Sequence, residues 1–377
     1  MKYSTISGSE KEKAAMIPNS NSVFLNVKEW AVTLVLFFGI CFGIYFGWYR
    51  WEKFLPEPDF RSTCWEERMS DYWAYARWTR YAREHYTIFL MGDSVIWGQE
   101  VNNDETISHF LNAESGKEIV ANLGVDGLHC AGENGMIKWF GQYIHDSNII
   151  LEFNPLWMSE PLYDLRGNWK NFFHPRLAPQ FSTRIHYFRS MNERLGYLFE
   201  NCFRIPALVR HIMVDYFGNK SVTAWIMANP YRNPFSAITF QAAPLMRKAP
   251  GRGLDWETKK LKMKDSPFVP FDESVQWKGF LGALDKLKKK NMHVFVLLGP
   301  FNTYQLTPKS SERYRKMIAE VKKTLDRRGY PWFDCTTGIL PSNAFADDCH
   351  LLKGGHAILA GAMMKDTGFR KWIEEIR

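Results

Sequence analysis

The sequence predicts an α/β protein, a three-layer α/β/α sandwich with a central parallel sheet. Short apolar runs that suit buried strands alternate with longer segments whose apolar residues recur at helical spacing. This alternation is the pattern of a parallel sheet covered by helices. The chain has 377 residues, of which 46% are hydrophobic, so it is long enough to bury a substantial core.

The predicted elements follow one another along the chain with one interruption. The predicted strands are Thr87–Met91, Glu118–Leu123, Asn148–Phe153, His293–Leu298 and Tyr330–Cys335. The predicted helices are Thr106–Ala113, Glu133–Ile144, Ser274–Lys290, Glu312–Arg327 and a last helix from Gly355. A helical insertion at about 159–271 separates the third strand from the fourth. It would serve as structural padding, as a substrate lid or as a membrane-facing platform, and padding is the default.

The N-terminal region predicts a membrane anchor. Residues 1–29 are polar and predict a flexible tail. Residues 30–49 carry no charge, and at about 1.5 Å per residue they can cross about 30 Å of hydrocarbon as a transmembrane helix. A cleaved signal peptide is disfavoured, because the polar lead is long and no small-residue cleavage site follows. Basic residues flank both ends, so charge does not orient the helix.

Three glycines in this helix suggest a partner within the membrane. Gly39, Gly43 and Gly47 are spaced four residues apart, so they share one face on which another helix can approach closely. Glycine is also frequent in membrane helices without a partner. After the membrane segment, residues 50–85 predict an aromatic connecting helix, since rings at positions 72, 75, 78 and 81 follow helical spacing.

Composition limits the kinds of ligand. A net charge of +8 favours anionic headgroups or polyanionic polymers, and 16% aromatic residues suit a protein working near lipid or sugar. No nucleic-acid-binding motif accompanies the charge, so nucleic acid is not an expected partner. The sequence predicts no cofactor. A basic run in the insertion is most simply a solvated surface, although it would suit phosphate-rich polymers or lipids: Lys248, Arg252, Lys259, Lys260, Lys262 and Lys264.

Two short motifs far apart in the chain predict a catalytic site. Ser94 follows the first predicted strand, in Gly92-Asp93-Ser94, where ligands gather in open α/β sheets. A serine hydroxyl needs a base to become a nucleophile. His350 would be that base, and Asp347, three residues earlier, would orient its ring. Asp348 is the alternative orienting carboxylate.

These motifs resemble the first and last blocks of the SGNH (GDSL) hydrolase superfamily. The resemblance covers residues 86–365, apart from the insertion, and implies that Ser94 attacks an ester carbonyl while His350 acts as general base. The single membrane helix is similar in layout to the D-alanyl transfer proteins of lipoteichoic acid synthesis and to the alginate O-acetyltransferase proteins. That likeness implies an extracytoplasmic esterase or O-acyltransferase acting on an acylated polysaccharide or lipid, beside a membrane-bound O-acyltransferase.

Two further superfamily blocks concern the oxyanion hole. The run from Asn122 to Gly127 resembles the second block, which implies that the Gly127 N–H stabilises the oxyanion. The third block departs from the family, because Leu156 occupies the position of the usual asparagine in Asn154-Pro-Leu-Trp157. Asn154, two residues earlier, would be the substitute donor.

Two other interpretations remain open. The altered third block favours a non-catalytic protein that uses the crevice to hold a polymer or to assist envelope assembly. Metal-dependent hydrolysis is the less favoured alternative, and it would use Asp347, Asp348, His350 and His356. A disulfide between Cys335 and Cys349 is a further hypothesis, because these residues flank the Asp347 loop.

Overall fold

The computed structural model describes residues 25–56, 59–61, 71–167, 172–185, 190–242, 253–336 and 338–376. The chain divides into two compact units, Met1–Arg50 and Trp51–Arg377. Most of the predicted polar tail lies outside the described residues.

Helix α1 (Val27–Trp51) has 25 residues and begins three residues before the predicted membrane segment. Its length and composition are sufficient for it to cross a membrane, and its apolar window is unburied. It is the one helix of this kind among the residues that the structure describes.

The second unit is built on a five-stranded sheet. Its strands are β1 (Ile88–Met91), β2 (Val120–Asn122), β3 (Asn148–Phe153), β4 (His293–Leu298) and β5 (Trp332–Asp334). They are all parallel, in the order β2-β1-β3-β4-β5. The predicted α/β class with a central parallel sheet is confirmed.

Helices pack on both faces of this sheet. The remaining helices are α2 (Tyr72–His85), α3 (Ser94–Trp97), α4 (Ile107–Ser115), α5 (Cys130–Trp139), α6 (Met191–Cys202), α7 (Arg204–Phe217), α8 (Val222–Ala228), α9 (Val275–Lys289), α10 (Pro308–Arg328), α11 (Lys353–Lys365) and α12 (Thr367–Glu375). The Phe295 ring of β4 lies 5.0 Å from that of Phe369 in α12, and the Phe153 ring of β3 lies 4.8 Å from that of Phe280 in α9. Phe153 of β3 pairs with Leu298 of β4, so these two side chains point to the same face of the sheet. Phe295 lies three residues before Leu298, and side chains alternate along a strand, so the Phe153 and Phe295 rings point to opposite faces.

The insertion forms the helices α6, α7 and α8, and it is anchored by buried polar contacts. His211 of α7 hydrogen-bonds Asp71, the N-cap of α2, at 2.8 Å and Glu52 at 2.9 Å. Within the predicted connecting helix 50–85, α2 carries the aromatic residues of helical spacing, and Tyr72, Tyr75 and Trp78 are buried. Residues 52–56 are not helical, and Lys53 instead bridges to Gln241 within the insertion.

Candidate active site

Ser94 lies in a tight turn at the carboxyl end of β1. A side chain at Gly92 would place its Cβ 2.3 Å from the Glu152 carboxylate, so only glycine fits this close approach to β3. The Asp93 side chain then accepts a hydrogen bond from the Val95 N–H at 2.8 Å and caps the short helix α3. Ser94 is the first residue of that helix and is 6% exposed.

Asp347 and His350 belong to a loop that folds onto the same end of the sheet. Asp347 Oδ1 accepts hydrogen bonds from the backbone N–H groups of Cys349 (3.1 Å) and His350 (2.9 Å), which closes a local turn. The Ala346 N–H donates to the His350 carbonyl at 2.9 Å, and Asn302, after β4, donates to the Asp347 carbonyl at 2.9 Å. These contacts place the Asp347 and His350 side chains together.

The structure brings the three predicted catalytic side chains into one hydrogen-bonded chain. Ser94 Oγ lies 2.7 Å from His350 Nε2, and His350 Nδ1 lies 2.7 Å from Asp347 Oδ2. Asp348 does not compete for the imidazole, because its carboxylate pairs with the Lys264 ammonium group. Asp347 therefore occupies the orienting position.

Electrostatics favour a protonated histidine in this arrangement. Burial opposes the charged form of His350, but Asp347, with smaller contributions from Asp93 and Asp126, raises its pKa to about 9. Burial likewise opposes ionisation of Asp347, but the His350 charge and the backbone hydrogen bonds hold its pKa well below its usual range. The imidazole becomes a free base only under alkaline conditions or when its surroundings change.

One predicted oxyanion donor, Asn154, is engaged with neighbours. The other, Gly127, lies in a turn with φ of +69°. Asn154 donates from Nδ2 to Asp93 Oδ2 at 2.8 Å, while its Oδ1 accepts from the Leu156 N–H at 2.9 Å. Asn154 also caps the 3₁₀ helix Pro155–Met158, so it supports the nucleophile turn.

Three site residues were missed by sequence reasoning. The Trp157 indole N–H donates to Asp93 Oδ2 at 2.7 Å, and the Asp93 N–H donates to Glu152 Oε2 at 3.1 Å. Burial raises the pKa of Glu152 well above its usual range, and burial raises that of Asp126 to about 6 although the His350 charge opposes the shift. A polar residue in an apolar strand was the one signal for Glu152, while neither Trp157 nor Asp126 stands out locally.

The four residues of the metal-dependent alternative do not form one ligand group in the described part of the structure. Asp347, Cys349 and His350 place possible ligand atoms within 4.8 Å of one another, but His356 does not belong to that group. Cys335 and Cys349 are both free and buried, so the hypothesised disulfide is not formed.

A cavity of about 340 Å³ opens beside His350. Its walls come from the His350 loop, from both ends of the insertion and from two short 3₁₀ helices outside it: Leu156, Tyr163, Leu261, Lys262, Met263, Lys264, Gln305, Asp347, Asp348, Cys349 and His350. Leu156 is one of the apolar residues in this wall. Two lysines of the predicted basic run also line this cavity, while Lys248 and Arg252 lie outside the described residues.

The fold and this site define an α/β protein that carries a hydrogen-bonded serine, histidine and aspartate at the carboxyl ends of its parallel strands. No model of a known protein family matches the chain, and no curated protein matches its sequence.

Proposed function

We propose that the protein is a membrane-anchored serine esterase or O-acyltransferase of SGNH type, acting on acyl esters of a cell-surface polysaccharide or lipid. The observation that supports this function best is the pair of 2.7 Å contacts joining Ser94, His350 and Asp347. Such a chain activates a hydroxyl for attack on a carbonyl carbon.

The reaction would proceed through an acyl-enzyme. Ser94 Oγ attacks the ester carbonyl while its proton passes to neutral His350 Nε2, and Asp347 stabilises the imidazolium that forms. When the tetrahedral intermediate collapses, His350 returns the proton to the departing alcohol and the acyl group remains on Ser94. Water or an acceptor hydroxyl then attacks the acyl-enzyme by the same steps in reverse, with His350 again as base.

The developing oxyanion needs a donor near Ser94. Ser94 is the first residue of α3, so its own N–H has no acceptor within that helix. The Gly127 N–H, in the turn that follows β2, would join it as the second donor. Asn154 is assigned to the support of Asp93 and not to the oxyanion.

The membrane would hold this enzyme near its substrate. At about 1.5 Å per residue, α1 is long enough to cross the bilayer, and we propose an extracytoplasmic position for the Ser94 site from the family resemblance. Within α1, an added Cβ at Gly39 or Gly43 meets no atom within 4 Å. That open face would suit a membrane-bound O-acyltransferase as partner.

Labelling with a fluorophosphonate probe tests the enzymatic function. At pH 9, the wild-type chain should be labelled at Ser94, and Ser94→Ala or His350→Ala should abolish the labelling. Asp348→Asn is the matched control, because Asp348 pairs with Lys264 and not with His350; this variant should be labelled normally. Absence of wild-type labelling would reject the proposal. Mass spectrometry of a sugar after incubation with the protein and an activated ester would distinguish acyl transfer to the sugar from hydrolysis of the ester.

A non-catalytic polymer-binding or envelope-assembly protein is the second candidate. It is favoured by one observation, the engagement of Asn154, the predicted substitute oxyanion donor, with Asp93. Binding of an anionic polysaccharide that survives Ser94→Ala, together with a wild-type chain that resists the probe, would support this function.

A further inference from the structure

An apolar surface of the insertion lies outside the core of the protein. Helix α8 and the 3₁₀ helix Pro234–Ala237 contain no buried residue. Their largest side chains are strongly exposed, with Met227 at 79%, Tyr231 at 100% and Phe235 at 79%. A seven-residue helix is marginal by itself in water, and exposed apolar clusters usually contact a partner or a membrane. We call residues 218–242 the insertion surface.

The end of the insertion surface is tied to the chain just beyond α1. The Lys53 N–H donates to the Phe240 carbonyl at 2.9 Å, and the Ala242 N–H donates to the Lys53 carbonyl at 3.2 Å. Lys53 follows the last residue of α1 by two positions, so it lies no more than about 7 Å of chain from the end of that helix. If α1 spans a bilayer, this end of the surface must lie close to the headgroups.

The composition of the insertion surface suits lipid headgroups. Residues 218–242 contain Lys220 and Arg232 and no acidic residue, together with apolar and aromatic side chains. Lys220 and Arg232 are exposed, and so is Leu55, at 76%, two residues after the bridge. Aromatic rings and basic side chains are the residues that settle at the boundary between acyl chains and headgroups, and the basic ones attract anionic lipids.

We propose that the insertion surface docks on the headgroup region of the bilayer that holds α1. This inference rests on the membrane anchoring proposed above, but it does not depend on catalysis at Ser94. The apolar side chains would enter the outer part of the lipid layer, while Lys220 and Arg232 would contact anionic headgroups. A second attachment of this kind would restrict the motion of the unit that carries Ser94 relative to the membrane.

Spin labels on the full-length chain test the docking. Nitroxides would be attached at Met227→Cys, Tyr231→Cys or Phe235→Cys in a chain whose Cys41, Cys64 and Cys202 are replaced by serine. The chain would be reconstituted in vesicles of phosphatidylcholine and phosphatidylglycerol. Lys316→Cys, whose parent side chain is 76% exposed on α10, is the matched control away from this surface. A further chain, in which Cys64 and Cys202 are replaced and Cys41 is kept and labelled, reports on α1 itself.

Each collision-accessibility pattern has one meaning. We expect oxygen accessibility to exceed that of a water-soluble nickel reagent several-fold at 227, 231 and 235, with the opposite order at 316. Nickel accessibility equal to that at 316 would overturn the docking. Low accessibility to both reagents would also overturn it, in favour of a protein partner or a second copy. A water-exposed label at Cys41 would refute the membrane anchoring itself, whatever the other labels report.

Discussion

Raising the pH should weaken the folded protein through His350. Its pKa is about 9 in the folded state, against about 6.5 in an unfolded chain, because Asp347, Asp93 and Asp126 outweigh the effect of burial. Protonation of His350 therefore stabilises the folded state. This contribution is complete below pH 6.5 and is lost as the pH rises through 9.

The size of the effect follows from these two values. Each tenfold difference in proton affinity corresponds to about 1.4 kcal/mol, so the interval from 6.5 to about 9 corresponds to about 3 kcal/mol. The Asp347 side chain is 31% exposed, and solvent screening reduces the interaction. We expect a loss of about 2 kcal/mol in the free energy of unfolding between pH 6.5 and pH 9.5.

Urea unfolding of the full-length chain in detergent measures this loss. His350→Gln is the control, because glutamine keeps polar contacts but cannot titrate, and its loss over the same interval should be smaller by the stated amount. Equal losses in the two chains would refute the assignment of a raised pKa to His350. A wild-type chain that became more stable with rising pH than the variant would show that the sign is wrong.

Three further predictions concern packing and charge. Gly279→Ala should lower the free energy of unfolding by about 1 to 3 kcal/mol, since the new Cβ would lie 2.5 Å from the backbone of α5. Gly361→Ala should raise it by up to about 1 kcal/mol, because its Cβ meets no atom within 4 Å. Urea denaturation compares the two variants. Arg61→Ala should lower the free energy of unfolding by about 3 kcal/mol in the same measurement, because the buried guanidinium donates to three carbonyl groups that follow Ser94. Arg61→Lys should restore only part of this stability. A loss below about 0.5 kcal/mol in Arg61→Ala would contradict a stabilising role for these hydrogen bonds. Asp126→Asn should shift the acidic limb of fluorophosphonate labelling to lower pH, because it removes one carboxylate that raises the pKa of His350; an unchanged limb would contradict the contribution of this carboxylate.

The strands in the middle of the sheet were predictable from local pattern. Asn148–Phe153 and His293–Leu298 coincide with the predicted ranges, because strands buried on both faces are continuous apolar runs. The edge strand β2 is shorter than its predicted range, Glu118–Leu123, since its ends depend on the register with β1. Helix α5 begins three residues before the predicted start, because the His129 side chain caps it, and histidine is not a usual cap signal.

The sequence by itself determined the parallel α/β class, the apolar helix near the N-terminus and the candidacy of Ser94, Asp347 and His350. These features are written in residue type and spacing along the chain. Only the tertiary structure decided between Asp347 and Asp348, since that choice depends on which carboxylate lies within hydrogen-bond distance of His350 Nδ1. It also placed the Asn154 amide on Asp93, because hydrogen-bond partners 61 residues apart are selected by the packing of β1 against β3.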